Sequence, residues 1–294
     1  MKGRKGFVFL ALLNLILSLP LTIQSAERTY LGELNFGARS VASGGCVVTA
    51  RNDLATLYSN PAALGIMTGN AISNVSFNNQ FGIVGWTEKQ IAIAFRPWGP
   101  LRTGLLRVNN TANIYEEAGT NLWRDTRTVF SLGMRLSESV AIGANYQRFN
   151  SFLEVDSEIK SQDYNLMNFG LLYAGKRLSW GMAAHNLEIL TDSKQVMPDF
   201  HFGMEFCYEM IDCKFELVNY ETAFSGLRKW SINTGAEMEF APGLILRIGN
   251  TISEKTSNFV VGFGISWKNI TIDYAYTTPY NLKASHHIST SYHF

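Results

Sequence analysis

The stretch that decides the fold is Ser285-His-His-Ile-Ser-Thr-Ser-Tyr-His-Phe294, at the carboxyl end of a chain of 294 residues. Counting back by twos from Phe294 gives Tyr292, Thr290 and Ile288, with polar residues at the positions between them. Residues two apart on a β-strand point to the same face of the sheet. The pattern therefore predicts a terminal strand with one apolar face and one polar face.

The same two-residue period recurs along most of the chain. Between Asn258 and Lys268, for example, every second residue is bulky and apolar. A helix would scatter these residues around its whole surface, so the pattern favours strands. Mean hydropathy is close to zero, as expected when each strand has one face of each kind. We predict about fourteen strands: 70–79, 88–98, 101–111, 124–136, 139–150, 163–175, 177–187, 198–208, 211–221, 228–240, 243–252, 258–268, 270–278 and 285–294.

The connections between these strands alternate in predicted length. Short turns are typical of the periplasmic side of an outer-membrane barrel, and longer loops of the external side. The longer loops are predicted at 80–87, 112–123, 151–162, 188–197, 222–227, 253–257 and 279–284. The predicted fold class is all-β: a transmembrane antiparallel β-barrel of about fourteen strands. A soluble β-sandwich would show the same alternation, and the charges predicted on the polar face favour the barrel only slightly.

The amino end has the features of an export signal. Lys2, Arg4 and Lys5 precede an apolar run from Phe7 to Leu19, and small residues follow near position 26. We predict a signal peptide at 1–26. The alternative is a single membrane-spanning helix, but the run is shorter than the roughly 20 residues that such a helix needs. The predicted order is signal peptide 1–26, hatch segment 27–69 and outer-membrane β-barrel 70–294.

The hatch segment differs from the rest of the chain in composition. Asn52 or Asp53 is placed to cap a short helix, since Asn and Asp side chains accept hydrogen bonds from the first turn. Asn60-Pro61 then breaks that helix and starts a new turn, because Pro fits a first helical position, and Gly65 ends the turn. We predict a hatch segment that contains a short helix.

Both ends of the chain resemble the FadL-like superfamily of outer-membrane proteins, and most of all its PorV/PorQ branch. The residues that carry the resemblance in the hatch segment are Gly37 to Ser40, Gly44, Gly45, Asp53, Tyr58, Asn60, Pro61, Ala62 and Gly65. Those in the closing hairpin are Ile272 to Tyr276, Leu282, His286, Ile288, Ser289, Tyr292 and Phe294. Tyr292 and Phe294 also resemble the terminal signal read by the barrel-assembly machinery. The resemblance implies a fourteen-stranded barrel with the hatch segment inside or under it.

Motifs of catalysis are weak, and we predict no enzyme activity. His185 and His201 are predicted to face the barrel lumen on neighbouring strands near Glu205, which could mimic an acid–base set. A hydrogen-bonded network filling the lumen is the simpler interpretation. The predicted lumen network comprises Arg96, Arg135, His185, His201, Glu205, Glu237, Arg247 and Asp273. In the hatch, Gly44, Gly45, Asp53, Asn60, Pro61 and Ala62 are candidates for a structural wedge or for contact with cargo.

The cysteines and histidines predict neither a disulfide nor a metal site. Cys207 and Cys213 flank a tight turn, but their positions along the strands place them on opposite faces of the wall. His286 and His287 are adjacent on a strand and so face opposite ways. We predict free thiols, no metal and no cofactor. No basic run suggests nucleic acid as a partner.

Two functions from different classes fit these observations. The PorV/PorQ resemblance implies a structural or interaction component of type IX protein secretion. The fatty-acid branch of the superfamily implies instead a transporter of long-chain fatty acids or other hydrophobic small molecules. The partners predicted are outer-membrane lipid, the barrel-assembly machinery, and either secretion-system proteins or a hydrophobic ligand. The predicted location is the bacterial outer membrane.

Overall fold

The computed structural model describes residues 36–79, 86–116, 119–155, 158–188, 196, 198–221, 228–253, 257–279 and 283–294. The predicted signal peptide, 1–26, and the first part of the predicted hatch segment lie outside these residues.

Fourteen antiparallel strands form a closed barrel in which each strand pairs with its sequence neighbours and β14 pairs with β1. The strands are β1 Ala71–Asn79, β2 Trp86–Trp98, β3 Leu101–Glu116, β4 Gly119–Arg135, β5 Val140–Val155, β6 Glu158–Ala174, β7 Leu178–Glu188, β8 Asp199–Tyr208, β9 Ile211–Glu221, β10 Arg228–Ala241, β11 Leu244–Ser253, β12 Ser257–Trp267, β13 Ile270–Pro279 and β14 Ser285–His293. The predicted strand number and the antiparallel barrel are confirmed.

The closing strand behaves as its sequence predicts. Tyr292 and Phe294 lie on the outer surface with their rings 4.6 Å apart, edge to face. The Phe294 amide donates to the Ala71 carbonyl at 2.9 Å, so the last residue still bonds to the first strand. This pairing removes the free edge that an open sheet would present to lipid.

Two of the predicted long loops are wrong. The segments 112–123 and 151–162 belong mostly to strands, and only two residues separate β3 from β4 and β5 from β6. β3 to β6 are therefore 16 or 17 residues long, whereas the other strands have 9 to 14. The prediction failed here because the apolar alternation stops before the strand pairing does.

The segment before the barrel, residues 36–70, lies inside it and is called the inner segment below. It contains three short helices: α1 Gly37–Ala42, α2 Thr56–Ser59 and α3 Ala62–Ile66. The side chain of Asp53 accepts a hydrogen bond from the Ala55 amide, but α2 begins at Thr56 without a side-chain cap, so the predicted capping by Asn52 or Asp53 is wrong. Pro61 lies directly before α3, and Gly65 lies within α3, which ends at Ile66. Within the described residues, no helix has the length and apolar character required to cross a membrane.

Candidate functional site

Glycines on the inner face of the barrel receive the inner segment at close range. A Cβ added to Gly133 would lie 2.6 Å from the Pro61 carbonyl oxygen, and one at Gly181 would lie 2.5 Å from the Val48 carbonyl oxygen. An added Cβ would also overlap the inner segment's backbone at Gly143, Gly235 and Gly249, and its side chains at Gly104, Gly170, Gly203 and Gly262. Because real Cβ atoms do not approach so closely, the inner segment fits against the wall only where these wall positions lack a side chain.

Asn60-Pro61-Ala62 occupies the centre of this glycine surface. The Asn60 side-chain amide donates to the Val48 carbonyl at 2.6 Å and to the Leu171 carbonyl of β6 at 3.3 Å. Its oxygen accepts from the Ala62 amide at 3.2 Å. Asn60 is fully buried. The motif therefore connects two turns of the inner segment to the wall.

Gly44 and Gly45 make the second close approach. Both have positive φ angles, +67° and +77°, which favour glycine. A Cβ on Gly44 would also lie 2.8 Å from the backbone nitrogen of Asn250 on β11. The Thr251 hydroxyl donates to the Gly44 carbonyl at 2.9 Å. At these two glycines the inner segment turns while in contact with the wall, on the side of the bore across from Asn60.

On one side of the bore, part of the wall is apolar. Inward-facing residues of β1 to β4 pack against Phe36, Leu54, Leu57 and Leu64 of the inner segment. These wall residues, called the apolar sector, are Ile72, Ala92, Ala94, Leu106, Val108 and Val129. All of them are 3 % exposed or less. This apolar sector departs from the polar lumen network that the sequence predicts.

On the other side, ion pairs connect neighbouring strands. Arg247 donates to Glu237 at 2.6 Å and to Asp273 at 2.7 Å. The Lys214 ammonium lies 3.8 Å from Glu205 and 4.0 Å from Glu237. These five residues, from β8, β9, β10, β11 and β13, are called the charged sector.

Two arginines of the inner segment join the charged sector. Arg39 lies 3.3 Å from Glu237, and Arg51 lies 3.4 Å from Glu205. The sequence analysis identified Glu205, Glu237, Arg247 and Asp273 but missed the three other cations. Lys214 has the strand position of an inward residue and could have been found. Arg39 and Arg51 could not, because their segment has no strand period.

The two predicted histidines do meet, but their carboxylate partner is Glu216 and not Glu205. The rings of His185 and His201 lie 4.2 Å apart, and the distance from His201 Nδ1 to Glu216 Oε1 is 2.8 Å. Glu216 Oε2 accepts the amides of Val47 and Val48 at 2.7 and 3.0 Å. The histidine cluster thus binds the inner segment, which supports a lumen-filling role.

A β-bulge interrupts the wall next to this cluster. The register between β6 and β7 shifts between Met167 and Phe169, and Asn186 has a φ of +58°. The Asn186 amide donates to Asn168, and its side chain donates to Asp199 at 2.9 Å. The bulge reverses which residues face inward, so the sequence period gave no signal for Asn186.

Arg96 and Arg135 are placed differently from the prediction. Both are exposed, and both donate to backbone carbonyls of nearby turns, those of Gly99 and of Ser137 and Glu138. Their strand positions have the inward parity, but they lie at the strand ends. They do not join the charged sector, because alternation gives the face of a residue and not its depth.

A second apolar cluster lies in the bore, nearer the end of the barrel that is opposite the short turns. Phe149, Tyr164, Leu166 and Val196 pack together, and the Arg127 guanidinium lies 4.5 Å from the centre of the Phe149 ring. The four residues are called the distal cluster, since β5 and β6 continue past it away from the short turns. Its side chains are 6 % exposed or less.

Two small cavities border the inner segment. One of about 40 Å³ is lined by residues that include Tyr58, His185, His201 and Glu216, and one of about 30 Å³ by residues that include Arg39, Asp53 and Asp273. A buried water needs roughly 10–15 Å³ measured in this way. Each cavity therefore has room for a few waters but not for a large ligand.

The cysteines are free, as predicted. Cys46 is buried in the inner segment, Cys213 is exposed on the outer surface, and Cys207 faces the bore. Glu205, Cys207 and Asp212 bring three possible ligand atoms within 4.8 Å of one another. Arg51 donates to both Glu205 and Cys207, so a cation side chain already occupies this position.

The architecture defines a closed β-barrel whose bore contains an N-proximal segment of its own chain. Solved structures with a similar fold include two toluene transporters and a FadL homologue. The toluene transporter TbuX of Ralstonia pickettii has 12 % identity and a TM-score of 0.66, covering 92 % of this chain and 100 % of its own. A Pseudomonas aeruginosa FadL homologue has 10 % identity and a TM-score of 0.69, covering 88 % and 98 %. The P. putida toluene transporter TodX has 11 % identity and 0.69, covering 88 % and 99 %.

No protein-family model and no protein of curated function matches this sequence. At 10–12 % identity the structural similarity establishes the fold and not the substrate. The fourteen-stranded barrel implied by the sequence resemblance is confirmed as a fold, and the FadL-like and PorV/PorQ assignments stay predictions.

Proposed function

We propose that this protein is a bacterial outer-membrane channel for hydrophobic small molecules. The observation that carries the proposal is that apolar side chains face the bore in two places, the apolar sector and the distal cluster. A general porin would line its bore with polar groups and water. The fold similarity to toluene transporters supports the same class of cargo.

In this proposal the molecule enters at the distal cluster and moves along the apolar sector. The inner segment closes the way at the level of the glycine surface, because its backbone touches the wall there. Passage therefore requires the inner segment to shift, or the molecule to leave through the wall. The described wall offers the β6–β7 bulge as a break in the hydrogen-bond ladder.

Uptake by whole cells tests the proposal. A Gram-negative host without its own fatty-acid channel would express the protein, and entry of radiolabelled oleate and toluene would be measured. We expect uptake of at least one of them above the empty host. The folded state of the expressed barrel would be checked by its resistance to unfolding by detergent until it is heated. A folded barrel with no uptake of either compound would contradict the proposal.

A pair of matched variants locates the path. Val108→Thr with Val129→Thr adds two hydroxyls to the apolar sector at nearly constant volume. Val218→Thr with Val260→Thr does the same on β9 and β12, where both valines are also buried. We expect the first pair to lower uptake about threefold or more and the second to leave it unchanged, because only the first adds polar groups to the path. Equal loss in both pairs would argue against a path along the apolar sector.

The secretion role implied by the PorV/PorQ resemblance stays a prediction without support from the structural similarities. Recognition of Tyr292 and Phe294 by the barrel-assembly machinery is also still a prediction. Purification from native outer membranes distinguishes the two functions. A co-purified hydrophobic ligand would support transport, whereas co-purification of secretion proteins in stoichiometric amount would support the secretion role instead.

A further inference from the structure

Charged side chains on the outer surface of the barrel occur in one sector only. Among the strand residues whose side chains are described, every outward-facing Lys, Arg, Asp or Glu lies on β2 to β6. They are Lys89, Arg107, Arg124, Arg148, Glu154 and Asp163. The outward positions described on β7 to β14 carry none of these four residue types. The first four residues are called the basic patch.

Strand pairing brings the basic patch together. Arg107 pairs with Thr128, and Thr128 pairs with Arg148, so the two arginines occupy one row separated by a single strand. Neighbouring strands lie about 4.8 Å apart, which puts the two backbones about 10 Å apart. Counting rows of outward-facing residues away from the short turns, Lys89 lies one row beyond Arg107, and Arg124 lies two rows beyond it.

The patch begins where the apolar surface ends. The row immediately before it, towards the short turns, consists of Leu105, Phe130, Tyr146 and Met167. The Tyr146 hydroxyl donates at 2.6 Å to Asn165, which belongs to the first polar row. A tyrosine whose ring lies among apolar residues and whose hydroxyl bonds to a polar residue is typical of a lipid–water interface. This places the basic patch at headgroup depth.

The patch has an excess of positive charge and side chains free to bind. Asp163 lies 3.8 Å from Arg148, and both are more than half exposed. Glu154 lies one row beyond Arg124. Lys89, Arg107 and Arg124 are exposed, and within the described residues their side chains have no hydrogen bond or ion pair. Guanidinium groups bind phosphate oxygens in pairs, and cations at headgroup depth attract anionic lipid.

We propose that the basic patch binds the phosphate groups of an outer-leaflet lipid. The patch lies towards the end opposite the short turns, which is the external end in an outer-membrane barrel. An ordinary solvated surface would mix charges of both signs around the barrel. The inference uses the outer-membrane placement proposed above but not the transport activity, so either can fail without the other.

Lipid binding to the delipidated, detergent-solubilised protein provides the test. The protein would be titrated with diphosphorylated lipid A and with a phosphate-free analogue, and adducts would be counted by native mass spectrometry. We expect Arg107→Gln with Arg148→Gln to weaken binding of the phosphorylated lipid about 30-fold, since each cation near the surface contributes about fivefold. Asp163→Asn is expected to strengthen it.

The matched control is Lys176→Gln with Arg177→Gln, which removes two exposed cations from the β6–β7 turn. It should bind as the unchanged protein does. Equal loss in the control, equal binding of the phosphate-free analogue, or displacement by millimolar inorganic phosphate would each overturn the lipid site. Should the Arg107 and Arg148 double variant fail to fold, Lys89→Gln with Arg124→Gln decides, with a loss of similar size expected.

Discussion

The apolar sector and the charged sector hold the same inner segment by different physics. The apolar sector contacts it through close packing of side chains that are 3 % exposed or less. The charged sector binds it through Arg39 and Arg51, whose side chains are 31 % and 34 % exposed. Packing fixes shape, whereas partly exposed ion pairs contribute little energy. We therefore expect the apolar sector to contribute more to the free energy that holds the inner segment than its ion pairs with the charged sector do.

Within the charged sector, the wall-to-wall pairs should matter more than the pairs to the inner segment. Arg247→Met removes a side chain that is 1 % exposed and leaves Glu237 and Asp273 facing each other. We expect a loss of about 3–5 kcal/mol in the free energy of unfolding, the cost of a broken buried pair. Urea unfolding in detergent micelles, followed by tryptophan fluorescence, measures it. A loss below about 1 kcal/mol would mean that water already screens these charges.

The glycine surface, which holds the inner segment by backbone contact next to the apolar sector, is probed by adding one methyl group. Gly143→Ala places a Cβ against the Pro61 and Ala62 backbone, which cannot move aside as a side chain can. We expect about 1–3 kcal/mol of destabilisation, typical of overpacking. The control is Ala144→Val, an outward change on the next residue of β5, which should be nearly neutral. If both variants were neutral, the glycine surface would not be in contact with the inner segment.

The smallest effects are expected from exposed arginines. Arg39→Gln should cost about 1 kcal/mol or less, because its pair with Glu237 is partly exposed. Arg96→Gln, at a strand end, should fall within about 0.5 kcal/mol of the unchanged protein. The same urea titration compares them. A larger loss of stability in Arg96→Gln than in Arg39→Gln would contradict the placement of Arg96 at a turn and of Arg39 beside the charged sector.

Much of the barrel could be predicted because each strand repeats the same two-residue rule. Strand number, pairing order and the closing strand all follow from that rule and from the need to close the sheet. The rule failed between residues 112 and 123, where β3 and β4 continue although the apolar alternation has stopped. Apolar alternation records contact with an apolar surrounding, so it ends where that surrounding ends and not where the strand ends.

The bore could be predicted only in part. Parity correctly gave the inward face of Glu237, Arg247 and Asp273, which the structure brings together. It could not give depth, so Arg96 was wrongly grouped with them. It also could not reveal the partners supplied by Arg39 or by the Val47 and Val48 amides, since these come from a segment without a period. Long-range packing and not local pattern decides those contacts.

The central claim, that the inner segment is folded inside the bore of the resting barrel, is tested most directly by the native cysteines. Cys46 is 1 % exposed, and burial raises the pKa of its thiol, so little reactive thiolate forms near neutral pH. Cys213, exposed on the outer surface, serves as the internal control. The folded protein in detergent would be treated with N-ethylmaleimide at pH 7.5, and each site would be quantified by peptide mass spectrometry. We predict prompt labelling of Cys213, with Cys46 labelled only after unfolding; equally fast labelling of Cys46 in the folded barrel would contradict the account.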